Sequence, residues 1–191
     1  MATTEMIIAG FGGQGILYMG QMLSHAANDL GKKVSWLPSY GPEMRGGTAN
    51  CMVCVSDEEV NSPLVLEPDV LVAMNKPSLV RFEKSLKPGG ALILNRDLID
   101  IEPTRSDLAV HWVSADTIAA ELGNPKIANM AALGTLIGTL DIITLEQAVR
   151  TVTENTPASK MGTLSVNLEA LRRGYEISSA GTEAVTAQAT V

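Results

Sequence analysis

The sequence predicts a three-layer α/β domain with a mainly parallel or mixed sheet, a Rossmann-like glycine loop after the first strand and a helical C-terminal part. Three observations predict it. Short, uniformly apolar runs such as DVLVAMN (69–75) and ALILN (91–95) read as strands covered on both faces, because a sheet wetted on one side alternates polar and apolar residues. These runs alternate with segments of helical spacing, which is the pattern of helices laid on both faces of a sheet. The first run also passes through GFGGQG (10–15) into a helical stripe, forming a strand–loop–helix unit. With 191 residues and 46% apolar content, the chain suits one domain with a sizeable core. That domain is expected over 1–179, with 180–191 as a flexible tail of small and polar side chains.

The elements follow in order. Met6 to Ala9 is a buried strand, and Ile16, Met19, Met22, Leu23, Ala26, Ala27 and Leu30 share one helical face, with Gly31 as the stop. KKVSWL (32–37) and ANCMVCVS (49–56) read as strands separated by a loop with Pro and Gly at both ends. Between the apolar runs at 69–75 and 91–95, PSLVRFEKSL suits a helix opened by Pro77 and ended by KPGG. AVHWVS (109–114) completes six strands. Four helical segments follow, with Asp116, Thr144 and either Thr163 or Ser165 as helix starts.

Composition narrows the function classes. A net charge of −7 and a pI near 4.8 leave no basic surplus to neutralise a nucleic-acid backbone. No stretch approaches the roughly 20 apolar residues of a membrane span, and the N-terminus lacks a basic segment before an apolar one. A cytoplasmic protein is expected. Two cysteines, Cys51 and Cys54, are too few for a disulfide framework or a four-thiolate cluster. Their C-x-x-C spacing on a strand sends the two side chains to opposite faces, so both read as ordinary thiols.

Gly10, Gly12 and Gly15 satisfy G-x-G-x-x-G. Glycines let the backbone approach an anion, and the following helix points N–H groups at it. A dinucleotide site also needs an acidic residue about 20 positions on, at the end of the second strand. That strand ends in Trp36, Leu37 and Pro38, and Asp29 lies in the preceding helix. The loop therefore reads as an anion or phosphate contact or as a tight turn, ahead of a dinucleotide site. A second candidate is SYGPEMRGGTAN (39–50), a long loop after the second strand that faces the same sheet edge. Its Arg45 can clamp a phosphate or a partner's carboxylate. Alternatively, Arg45 pairs with Glu43 and the glycines turn the chain.

Taken together, GFGGQGI, SYGPEMRGGTANC, VSDEEVNSP, LVAMNKPSL, KPGGALILN and NMAALG resemble, in this order and over nearly the whole chain, the gamma subunit of 2-oxoacid:ferredoxin oxidoreductases. The resemblance implies a subunit, without catalytic or metal-binding residues of its own, of an enzyme that oxidatively decarboxylates a 2-oxoacid with coenzyme A. The products are acyl-CoA, carbon dioxide and reduced ferredoxin. It implies alpha, beta and delta partner subunits that carry thiamine diphosphate and the iron–sulfur clusters, with ferredoxin acting on the whole complex. It further implies that Gly12, Gly13, Gln14 and Gly15 contact CoA, and Arg45 is added to that set from its place in the second loop. Oxoacid selectivity is expected around the thiamine, in other chains, with a slight preference for 2-oxoglutarate from the look of a stand-alone subunit. The isolated chain is expected to expose an apolar patch and to self-associate through it. A stand-alone nucleotide-binding or regulatory module is the alternative reading.

Other residues have plainer readings. His25 and His111 are structural or surface histidines. Asn75 and Lys76 follow a strand where binding residues occur, but Asn75 or Ser78 as a helix cap explains them equally well. Asn129 is either a partner contact or an internal cap. The methionines fill core gaps, with Met19 and Met44, near the two loops, as candidates for an adaptable interface.

Overall fold

A computed structural model describes residues 3–39 and 48–179. These residues form six strands: β1 (Thr4–Phe11), β2 (Lys33–Ser39), β3 (Thr48–Ser56), β4 (Val70–Ala73), β5 (Ala91–Asn95) and β6 (Ala109–Val113). They form one sheet of order β2-β3-β1-β4-β5-β6. β1, β4, β5 and β6 are mutually parallel, while β3 runs antiparallel to both β1 and β2. The sheet is therefore mixed, and its one reversed strand follows the long loop read from the sequence. The described residues form six α-helices: α1 (Ile16–Asp29), α2 (Lys76–Phe82), α3 (Ala115–Glu121), α4 (Ala128–Thr139), α5 (Leu145–Glu154) and α6 (Leu164–Ser179).

Strand alternation splits the core in two. Met6, Ile8, Cys51, Val53, Val72 and Ile93 face one layer, formed by α1, α3, α4, α5 and α6. Ile7, Ala9, Cys54, Leu71, Leu92 and Leu94 face the other, which is covered by α2 and by Val65, Ile99 and neighbouring loop residues. Both faces are dry, which accounts for the uniformly apolar strands.

α1 buries Ile16, Met19, Met22, Leu23, Ala26 and Ala27 as its spacing requires. The stripe ends one residue early: Leu30 caps the helix and is 39% exposed, and Gly31 takes φ +76° to turn the chain away. Met19 is fully buried, which removes it from any interface and makes it core. α4 is buried on almost every side, as expected of a central helix rather than a surface one. It crosses α6 at Gly134 and Gly174, where Thr135 Oγ1 donates to the Gly174 carbonyl at 2.9 Å.

Helix starts divide between local and remote caps. Thr144 forms a full capping box with Gln147: the Gln147 amide donates to Thr144 Oγ1 at 3.2 Å, and the Thr144 amide donates to Gln147 Oε1 at 2.7 Å. Asp116 does not start α3. The Ala115 amide donates to Asn95 Oδ1, and the Thr117 amide donates to Asp97 Oδ2 at 2.8 Å, so residues about 20 positions upstream cap the helix. α6 continues from a 3-10 turn (Ala158–Thr163), and the Thr163 hydroxyl donates back to the Lys160 carbonyl. Among the described residues, no helix is long and apolar enough to cross a membrane. The tail assigned to 180–191 lies outside the described residues.

Candidate functional site

The chain places its chemistry at the carboxyl edge of the parallel strands. After β1 it enters α1 on the five-helix side, whereas after β4 it enters α2 on the opposite side. Where successive connections leave a sheet in opposite directions, a crevice opens between the strand ends. Residues 12–15 lie at this point, beside Met74 and Asn75.

The loop is held tightly. The Gln14 amide donates to the Phe11 carbonyl at 3.2 Å, closing a turn. The Gln14 side chain accepts from the Phe11 amide at 2.6 Å and donates to the Met74 carbonyl at 3.4 Å. Gln14 thus bridges the β1 and β4 ends with its side chain, while its own amide closes the turn. Gly13 (φ +96°) and Gly15 (φ +74°) adopt left-handed conformations that side chains rarely take. A Cβ at Gly10 would come within 2.6 Å of Ile16 Cδ1, and one at Gly15 would overlap the Asn129 amide. Both glycines are required by close approach. Gly15 also caps α1 without any side-chain hydrogen bond, so the first-turn amides have no side-chain acceptor.

Neighbouring polar groups brace this edge. Asn95, fully buried at the end of β5, donates to the Asp116 carboxylate at 2.6 Å and to the Met74 carbonyl at 3.4 Å. Asn75 caps α2 by accepting from the Ser78 amide at 2.9 Å, and Lys76 pairs with Asp100 at 2.8 Å. These contacts give Asn75 and Lys76 structural work. Asn129, 7% exposed, sends its amide nitrogen to the Gly15 carbonyl at 3.5 Å and so ties α4 to the glycine loop.

Gln14 obstructs the crevice between β1 and β4, but a cleft of about 570 Å3 opens on the other flank of Gly15. It lies between the first turns of α1, the start of α4, the end of α5 and the approach to α6. Tyr18, Lys126, Asn129, Asn155, Lys160 and Asn167 give it its polar lining. Burial pushes the Tyr18 phenol above its ordinary value, with a hydrogen bond to Thr156 opposing that shift, and the ring stays neutral. Sequence reading missed Lys126, Lys160, Asn155 and Asn167. They come from separate segments, and their only local signals are the Asn124-Pro125 and Pro157 turn starts beside the two lysines.

Arg45, Glu43 and Met44 lie outside the described residues. The strand ends that flank them are placed: Thr48 pairs with Phe11, and Ser39 pairs with Asn50, which sets both ends of that loop beside the glycine loop. Cys51 and Cys54 face opposite layers, and no rotation of side chains brings them to one metal. The pair does not fit an iron–sulfur cluster. Among the described residues no group of three or more His, Cys, Asp or Glu is arranged to hold a metal ion. His25 is exposed, and His111 is half-buried on β6, with burial lowering its pKa. Among the described residues, large apolar side chains are exposed at Leu64, Leu66 (72%) and Val80 (61%).

A family model described as pyruvate ferredoxin/flavodoxin oxidoreductase matches residues 5–177. The chain belongs to this family. Within it, the chain is 42% identical over 170 residues to the ketoisovalerate oxidoreductase subunit VorA of Methanothermobacter marburgensis, covering 88% of this chain but 35% of that protein. The chain thus spans about a third of the length of the VorA relatives it matches. The 2-oxoglutarate synthase subunit KorC of Methanocaldococcus jannaschii is 32% identical over 176 residues, which cover 91% of this chain and 92% of KorC. A crystal structure of the gamma subunit of a keto/oxoacid ferredoxin oxidoreductase from Geobacter sulfurreducens superposes with a TM-score of 0.83 at 27% identity, covering 94% of this chain and 98% of that one. The mixed six-stranded sheet with its helical C-terminal part is therefore the gamma-subunit fold of this oxidoreductase family.

Proposed function

We propose that this chain is the gamma subunit of a multisubunit 2-oxoacid:ferredoxin oxidoreductase, cytoplasmic, in which it supplies contacts to CoA and packing surface to subunits that hold thiamine diphosphate and the iron–sulfur clusters. The observation that carries this reading is the site itself. A glycine loop, the N-terminus of α1 with no side-chain cap and an adjoining cleft together suit an anion. Such a site can hold a phosphorylated co-substrate. Gly12, Gly13 and Gly15 supply backbone, Gln14 positions the loop, and Arg45 joins from the neighbouring loop. The match over 92% of KorC, a 2-oxoglutarate synthase subunit, supports the subunit reading. The names of the relatives span ketoisovalerate, 2-oxoglutarate and pyruvate, which accords with an oxoacid selected in the partner chains.

Purification of this chain through a tag from its native host tests the reading. The expected result is co-purification with a thiamine-binding subunit and an iron–sulfur subunit, and oxoacid- and CoA-dependent reduction of ferredoxin by the complex. A tagged chain recovered alone that binds adenine nucleotides at micromolar concentration would instead support the regulatory module.

A further inference from the structure

The two faces of the sheet are unequally covered. Five helices lie on one, whereas the other has α2 and irregular segments, among them residues 57–69, which join β3 to β4 without helix or strand. Connections of this length with no regular structure are uncommon in compact domains, and those that are not linkers serve a function. This one crosses β3 on inward anchors. Val65 is fully buried, its amide donates to Met52 Sδ at 3.3 Å, and the Cys54 thiol donates to the Ser62 carbonyl at 3.9 Å. Leu64 and Leu66, one residue to either side of Val65, are turned outward and are 50% and 72% exposed. Leu37, on the edge strand β2, stands opposite Met52 in register and is 38% exposed on the same face. Single exposed leucines are ordinary, but three beside one half-buried methionine form a patch of the kind that marks a contact surface.

The border of this patch is acidic. Residues 57–69 hold five carboxylates and no lysine or arginine. Lys32, Lys33 and Lys87 pair with Asp57, Glu59 and Asp69, and among the described residues the exposed Glu58 and Glu67 enter no ion pair.

We propose that this face, Leu37, Leu64 and Leu66 bordered by Glu58 and Glu67, docks a partner subunit through an apolar surface flanked by lysine or arginine side chains. The proposal rests on the subunit reading given above and names the surface that does the packing. An apolar centre within a polar rim is the general anatomy of a protein interface. Charge decides between a partner subunit and a second copy of this chain. A two-fold contact through the patch would set its carboxylates against one another, on a chain already at −7, whereas a basic border neutralises them.

The test co-expresses the tagged chain with the other subunits of its complex and measures how much of each is recovered per tagged chain. Leu64→Asp and Leu66→Asp each lower that recovery about tenfold or more, the worth of one buried leucine, while Leu66→Met keeps it. Both leucines are exposed, so the circular dichroism and urea midpoint of the isolated variants stay those of the wild type. The double reversal Glu58→Lys and Glu67→Lys touches no apolar side chain and carries the test if an aspartate lowers stability. It reduces recovery about fivefold at low salt, and the difference fades as salt is raised. Wild-type recovery in every variant overturns this docking surface and leaves the subunit reading standing, whereas a wild-type chain that recovers no partner overturns both. An isolated chain that sediments as a dimer, and as a monomer in Leu66→Asp with the complex intact, assigns the patch to a second copy and overturns the proposal.

Discussion

Cys51 and Cys54 stand three positions apart and on opposite sides of the sheet, each under its own layer. Burial pushes the Cys51 thiol up to about 12, with hydrogen bonds involving Trp36 and the Gly20 backbone pulling weakly the other way, and burial also raises Cys54. Reactivity belongs to the thiolate. The folded chain at pH 8 should therefore leave both thiols unmodified by a disulfide exchange reagent over minutes, and denaturant should release two. Rapid labelling of both in the folded state would show that the strand pair opens or that the cysteines are exposed. This pair was legible in the sequence because a strand's period of two needs no tertiary knowledge. Gln14 was not legible in the same way. Its position in the glycine loop marks it as a ligand contact, but its side chain answers to the Met74 carbonyl sixty residues away. Met19 also sits next to the loop in sequence, and the helical stripe that buries it decided its place.

Elements were legible where the signal is local. The spacing of apolar residues located α1, and Thr144 with Gln147 three positions on marked the start of α5. α3 starts on Asn95 and Asp97 instead, a cap delivered by the neighbouring strand end, which no window around Ser114 contains. The crossing of α4 on α6 was also out of reach. KIANMAALGTLIGTL reads as a helix, but nothing in it says that Gly134 meets the backbone of another helix. A Cβ at Gly134 would overlap the Leu171 carbonyl oxygen, and one at Gly174 would overlap the Ala131 carbonyl oxygen. Backbone cannot give way as a side-chain tip can. Gly134→Ala should therefore lower stability by about 2 kcal/mol through overpacking, against the helix propensity that alanine adds. Gly162→Ala, where a Cβ meets nothing within 4 Å, is the matched control and should stay within about 0.5 kcal/mol. Urea unfolding of both variants checks this, and equal midpoints would mean that the two helices slide apart at little cost.

At the scale of the whole molecule, the same domain makes up 35% of one relative and 92% of another, so what one protein carries in a single longer chain the other carries as a separate subunit. The fold was readable at this scale from the alternation of elements. The cleft was not, because its lining is drawn from segments between Gly15 and Asn167 that only packing brings together. The strength of the site follows from its parts. The N-terminus of α1 contributes up to about 2 kcal/mol toward an anion. Two exposed lysines add up to about 1 kcal/mol each. The sum, about 4 kcal/mol, corresponds to a millimolar dissociation constant. The isolated chain should therefore bind CoA only at millimolar concentration, with an affinity that falls as salt is raised, and the assembled complex should bind it more tightly through contacts from its other subunits. Titration calorimetry of the chain alone and of the complex measures both. Micromolar binding by the chain alone would mean that the described residues make far stronger contacts than a helix end and two solvated lysines can, and that the partner subunits are not needed to complete the site.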